Sequence, residues 1–244
     1  MEMKKIEYAA YTGKGNQNIV NQDRVLINES ILSGGGSIGT TDAKLGAIIC
    51  DGVGSDERSN YAAEIVAKEF LNIDVEAADP KQISSILRRI NTRLIDIEGT
   101  CFNDNGSMST TIAGLIINRD HILVFNVGDT RIYALDANEC CLLTEDHVET
   151  IRSAQVPNIE GAIVLTRWLG VDKEHWFPAM KKGRIKRGKS YFLVCSDGFY
   201  NSSGVEYLQE LLKTTDSVEE IHVKMKQKLE TGTKDDASYI LIKV

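Results

Sequence analysis

Short apolar runs separated by turn residues dominate the chain. IEYAAYTG (6–13), DRVLIN (23–28), LGAIIC (45–50), TTIAGLIIN (110–118), HILVFNV (121–127), RIYAL (131–135), SYFLVC (190–195) and ASYILIKV (237–244) are rich in β-branched and aromatic residues. Their length and composition predict β-strands. Four longer stretches have helical periodicity. In SNYAAEIVAKEFL (59–71), Ala62, Ile65, Val66 and Phe70 fall roughly on one face. PKQISSILRRINTRLIDIE (80–98) opens with Pro80, favoured in a first turn because its missing N–H has no helical partner there anyway. GVEYLQELLK (204–213) and SVEEIHVKMKQKLE (217–230) complete the set. Two helices follow one group of strands and two follow a later group, with hairpin-like strand pairs between them. That order predicts an α+β sandwich, antiparallel sheets with helices packed outside. Gly34, Gly35, Gly36 and Gly39 predict a flexible loop, and KKGRIKRGK (181–189) a solvated turn before SYFLVC.

Composition narrows the function more than the fold. The 244 residues are enough to bury a substantial core, and 42% hydrophobic with 26% charged is ordinary for a globular chain. The formal net charge of −7 opposes general binding to nucleic acid or anionic membrane, so a phosphate site has to be made locally. The opening MEMKKIEYAAYTG has no apolar run of signal-peptide type, and no stretch approaches the ~20 apolar residues that span a bilayer. A cytoplasmic location is expected. Five cysteines without Cys-x-x-Cys spacing offer neither a disulfide framework nor a zinc site.

The candidate chemistry lies in aspartates at strand ends. LGAIICDG ends on Asp51, LVFNVGD on Asp129 and YFLVCSDG on Asp197. Asp23 opens DRVLIN, and Asp235–Asp236 precede ASYILIKV. One reading is a set of turn and capping aspartates. It suffices locally for Asp129, where RIYAL follows at once and predicts a hairpin. It fails for Asp51 and Asp197, which are followed by helical segments. The other reading is a carboxylate cluster. Its repulsion would be relieved by protons or by a hard cation such as Mg²⁺ or Mn²⁺. The pattern leaves both open.

Longer strings bear on that choice. VNQDRVLIN, AIICDGVGS, MSTTIAGLII, FNVGDTRIYAL, LTEDH, LTRWLG, LVCSDGFYN and KDDASYILIKV stand in this order along essentially the whole chain. They resemble the ordered motifs of the protein phosphatase 2C family of metal-dependent serine/threonine phosphatases. The resemblance implies a four-layer sandwich of two antiparallel β-sheets flanked by helices, with the metal site at one edge. It also implies one catalytic domain over residues 1–244, with a short flap at about 148–164. By the same resemblance Asp51 bridges two Mn²⁺ or Mg²⁺ ions, and Gly52 (through its carbonyl) and Asp23 serve one of them. Asp197 and Asp235 hold the other, and Asp129 serves a weaker third site. Asp51 and Asp197 are the expected catalytic residues. A metal-bridging hydroxide would hydrolyse phosphoserine or phosphothreonine in protein substrates, and the chain would act as a monomer.

Several positions depart from the family pattern. Members usually carry a phosphate-gripping Arg where this chain has Asn18; Lys14 and Arg24 are nearby cations, neither at the matching position. Ser55 and Ser109 replace motif glycines, Asn201 stands where Asp is common, Asp236 where Asn is usual, and Val53 where some members have a His. These departures define the alternative, a degenerate member acting as a binding or regulatory module. Other motifs carry little. GGSIG (35–39) lacks the strand–turn–helix setting of a hydrolase elbow, and no cysteine is followed six residues later by Arg. His121, His147, His175 and His222 include no metal-binding pair on one helix, so structural roles are expected.

Overall fold

The computed structural model describes residues 5–54, 58–101, 107–151, 161, 163–171, 176–185 and 191–244. The first half contains β1 (Lys5–Gly13), β2 (Arg24–Ile27), β3 (Ser30–Leu32), β4 (Gly35–Asp42), β5 (Lys44–Cys50), α1 (Arg58–Phe70) and α2 (Pro80–Cys101). There follow β6 (Ile112–Asn118), β7 (His121–Val127), β8 (Arg131–Leu135), β9 (Cys140–Leu142), β10 (Val148–Thr150), β11 (Ile163–Leu165) and β12 (Ala179–Arg184). The chain ends with β13 (Tyr191–Cys195), α3 (Asp197–Asn201), α4 (Gly204–Leu212), α5 (Val218–Glu230) and β14 (Ala237–Lys243).

Two six-stranded antiparallel sheets form the centre. One has the order β4-β1-β14-β13-β8-β9, the other β12-β7-β6-β5-β2-β3. Strand alternation explains why these segments read as continuous apolar runs, because both faces of each central strand are buried. In β5, Leu45, Ala47 and Ile49 enter the layer between the sheets. Ile48 and Cys50 point the other way, into the core shared with α1 and α2. In β14, Ile240 and Ile242 face the inter-sheet layer, while Ala237, Tyr239 and Leu241 meet α3, α4 and α5. Three apolar layers thus separate four structural layers: helices, sheet, sheet, helices.

The helices fit this role for local reasons. Ala62, Ala63, Val66, Ala67 and Phe70 form the buried face of α1, small enough to lie close on the sheet. Phe70 stacks on Phe125 of β7 at 5.6 Å between ring centroids. Truncating either ring would cost about 3–5 kcal/mol. At α2, Asp79 Oδ1 accepts a bond from Gln82 N at 2.8 Å and caps the turn that Pro80 opens. At α5, Ser217 Oγ caps Glu220 N at 3.2 Å.

Three local expectations are corrected. The glycine cluster is largely strand, since residues 35–42 form β4 and pair with β1. Residues 181–184 of the basic run are also strand, the edge strand β12 paired with β7; 186–190 lie outside the described residues. The hairpin expected at Asp129 does not form. β7 belongs to one sheet and β8 to the other, so the chain crosses between sheets there. The small sheet of β10 and β11 lies within the expected flap, of which 152–160 and 162 are outside the described residues.

Candidate active site

The sheet crossings bring the aspartates together. Asp23 lies on the crossing from β1 to β2, and Asp129 on that from β7 to β8. Asp51 follows β5, Asp197 follows β13, and Asp235 precedes β14. Five segments distant in sequence therefore converge on one edge of the sandwich, and Asp51 feels the charge of the other four carboxylates.

Hydrogen bonds position Asp51 and Asp23. Asp51 O accepts from Thr111 N at 2.8 Å and from Thr110 Oγ1 at 2.9 Å. Val53 N donates to Ser109 O at 2.9 Å. The residue between, Gly52, has to be glycine: a Cβ there would lie 2.8 Å from Ser59 Cβ and 3.0 Å from Gln22 Cβ. Asp23 is fully buried, and Ser238 Oγ lies 2.6 Å from its Oδ2 and 2.7 Å from Thr12 Oγ1. Its Oδ1 is buried with no hydrogen-bond partner.

The loop after β1 is pressed against Asp235 and Asp236. Gly15 has room only as glycine, since an added Cβ would sit 2.2 Å from the Asp235 carbonyl carbon. Asp236 Oδ1 accepts from Gly15 N and Oδ2 from Gln22 N, each at 2.7 Å. Asn18 Nδ2 donates to Asp235 Oδ1 at 2.9 Å. Arg24 is committed elsewhere. Its Nε bonds Glu64 at 2.6 Å, and one Nη donates to the carbonyls of Asn21 and Asp23 at 2.9 and 2.8 Å.

Asp129 is held by residues that sequence reasoning left as structural or did not mention. Gly128 N donates to His147 Nδ1 at 3.0 Å. Burial and the neighbouring Arg167 push the His147 pKa down, which keeps this nitrogen an acceptor. Tyr200 OH donates to Asp129 O at 3.3 Å, and the Arg131 guanidinium lies 3.8 Å above the Tyr200 ring. Arg131 in turn grips both oxygens of Asp146 through Nε. The strings LTEDH, FNVGDTRIYAL and LVCSDGFYN contained Asp146, His147, Arg131 and Tyr200, without a role assigned to any of them. Asn201 is exposed at the end of α3, and Ser55 lies outside the described residues.

The electrostatics are those of an uncompensated anionic site. Burial, reinforced by neighbouring carboxylates, raises Asp23 to about 7 and Asp129 to about 6. Burial also raises Asp197, with Asp235 adding to it, and Asp51 is pushed well above the carboxylate range. Asp197 is among the carboxylates whose charge raises Asp51, as expected for close carboxyls that resist ionising together. Among the described residues no three Asp, Glu, His or Cys side chains stand ready-made as a ligand group. The donor chemistry nonetheless fits a hard divalent cation. All the donors are oxygen, the buried Asp23 Oδ1 is unpartnered, and the mutual repulsion is what a cation would relieve.

The profile described as "Protein phosphatase 2C" matches residues 13–233. The chain belongs to the protein phosphatase 2C family. This is a family of metal-dependent serine/threonine protein phosphatases, which are phosphoric monoester hydrolases. The "Serine/threonine phosphatase stp" of Listeria welshimeri is 25% identical over 222 residues, 81% of this chain and 83% of that protein. The fold is that of Serine/threonine phosphatase Stp1 from Staphylococcus aureus, with a TM-score of 0.73 at 20% identity, covering 100% of this chain and 96% of that one. RsbX, solved in complex with magnesium, matches with a TM-score of 0.66 at 19% identity, over 100% of this chain and 97% of that one.

Proposed function

We propose that this phosphatase hydrolyses phosphoserine and phosphothreonine in protein substrates at the aspartate edge. Residues 1–244 would work as one catalytic domain and as a monomer, with a short flap over about 148–164. Asp51 and Asp197 are the catalytic residues. Asp51, Asp23 and the Gly52 carbonyl would hold one Mn²⁺ or Mg²⁺ ion. Asp51, Asp197 and Asp235 would hold a second, and Asp129 would serve a weaker third. When bound, the ions supply an acidified water as nucleophile and offset charge on the phosphoryl oxygens. The chain's own residues do the positioning. Thr110 and Thr111 fix the backbone of Asp51, Ser238 orients Asp23, and His147 with Tyr200 fixes the Gly128–Asp129 turn.

The observation that carries this reading is that five carboxylates from separate segments meet at one edge, where burial raises Asp51 and the other four add to it. A set of turn and capping residues would have no reason to converge, and a binding module would have no reason to keep all five. Five unpaired cysteines support a cytoplasmic setting. Among the described residues no helix is long and apolar enough to cross a membrane.

The test is phosphate release from p-nitrophenyl phosphate and from a phosphothreonine peptide. Activity should vanish in EDTA, return with Mn²⁺ or Mg²⁺, and be abolished in Asp51→Asn. Full activity in EDTA would refute the mechanism, and no release under any metal would favour the binding-module reading.

A further inference from the structure

We infer that Lys14 is the residue that receives the substrate's phosphate group at this edge, an inference that rests on the carboxylate edge being the metal site. A phosphate dianion approaching five carboxylates meets repulsion. Two divalent ions would leave the five aspartates Asp23, Asp51, Asp129, Asp197 and Asp235 with one net negative charge if all are ionised. With the third site empty, a fixed cation beside the two ions would offset that charge and attract the dianion.

The described residues offer few candidates. Arg24 is buried and bound to Glu64. Arg131 is bound to Asp146 and covered by Tyr200. Asn18 presents a neutral amide, already donating to Asp235.

Lys14 differs from all of these. Its Nζ donates to Asn18 O at 2.8 Å and to Gly15 O at 2.9 Å. Two of its three donors are thus used on carbonyls, and one remains. Among the described residues it has no carboxylate partner, unlike Lys44, Lys68, Lys213, Lys224, Lys226 and Lys243. The ammonium is therefore ordered, exposed and electrically unpaired. Its carbonyl ligands belong to the loop whose Asn18 touches Asp235 and whose Gly15 packs against the Asp235 backbone. An exposed lysine tied only to backbone keeps its full charge for a visiting anion. Lysine acts on phosphate as a point charge rather than a fork, so the contact strengthens binding without fixing the phosphate's orientation.

The experiment measures inorganic phosphate binding by calorimetry to the whole chain in Mn²⁺, alongside steady-state kinetics on p-nitrophenyl phosphate. Lys14→Met should weaken phosphate about ten- to a hundredfold, the range for one charge-assisted contact. The loss should fall mainly in KM, with Mn²⁺ affinity unchanged, and Lys14→Arg should recover most of it. Lys234→Met, which removes an exposed charge next to Asp235, is the control and should change binding less than threefold. The inference is overturned if Lys14→Met binds phosphate like the wild type, or if Lys234→Met weakens it equally, which would indicate a diffuse field. Phosphate binding that requires Lys14 without turnover would refute the hydrolytic reading and leave Lys14 in place. No phosphate binding by the Mn²⁺-loaded wild type would refute Lys14, whatever the turnover.

Discussion

Replacing Asp236 by alanine leaves two backbone donors, Gly15 N and Gln22 N, without their acceptor. Both bonds are 2.7 Å long, both go to one carboxylate, and the residue is only 3% exposed. Hydrogen bonds to a charged group contribute about 1.5–3 kcal/mol each, so the pair is worth about 3–6 kcal/mol. One effect opposes this. The Asp236 charge helps to raise Asp23, and its removal relieves that repulsion. The net loss should fall near the lower end of the range, still a large share of the roughly 5–15 kcal/mol that holds a typical domain. Asp236→Asn keeps one acceptor oxygen but turns an N–H₂ toward one of the two donors, so it should cost about half as much. Urea unfolding of the two variants and wild type measures this, and an unchanged m-value would show that the denatured states are comparable. The altered loop contains Lys14, Asn18 and Asp23, so weaker phosphate and Mn²⁺ binding should accompany the lost stability. An Asp236→Ala variant within about 0.5 kcal/mol of wild type would mean that water or another acceptor serves these donors, and the argument would fail.

Three further outcomes follow from the same geometry. Asp23 and Asp129 titrate near 7 and 6 in the folded chain, above an ordinary aspartate. The folded state therefore holds protons that the unfolded state releases. The stability these groups give is fully present below the ordinary carboxylate pKa and is lost as pH rises through about 6 to 7. In EDTA the Tm should fall between pH 5 and pH 8, and Asp23→Asn should flatten that fall. Mn²⁺ should raise Tm more at pH 8 than at pH 5.5, because the ion takes the place of the protons; a larger rise at pH 5.5 would contradict this. Gly52→Ala places a methyl 2.8 Å from Ser59 Cβ and should cost about 1–3 kcal/mol in urea unfolding, the range for overpacking. Wild-type stability would show that α1 can yield there.

The sequence by itself determined the elements whose signals are local. The four long helices start and stop within a few residues of their periodic stretches, because their buried faces recur at helical spacing and Pro80 and Ser217 mark two of their starts. The central strands were legible because burial on both faces makes them continuously apolar. Edge strands were not. β4 has three glycines in eight residues and β12 is half Lys and Arg, so neither has an apolar pattern, and each is strand only because a neighbour supplies its hydrogen bonds. The site divides the same way. Strand-end aspartates could be picked out one by one, and the ordered motif strings assigned them roles. Tertiary structure decided that Asp129 lies on a crossing between sheets rather than in a hairpin, since strand pairing is set by partners distant in sequence. It also decided that Asp236 clamps the loop that holds Lys14 and Asn18, more than 200 residues away. Such pairings depend on the closure of two sheets over one core, and no local pattern encodes them.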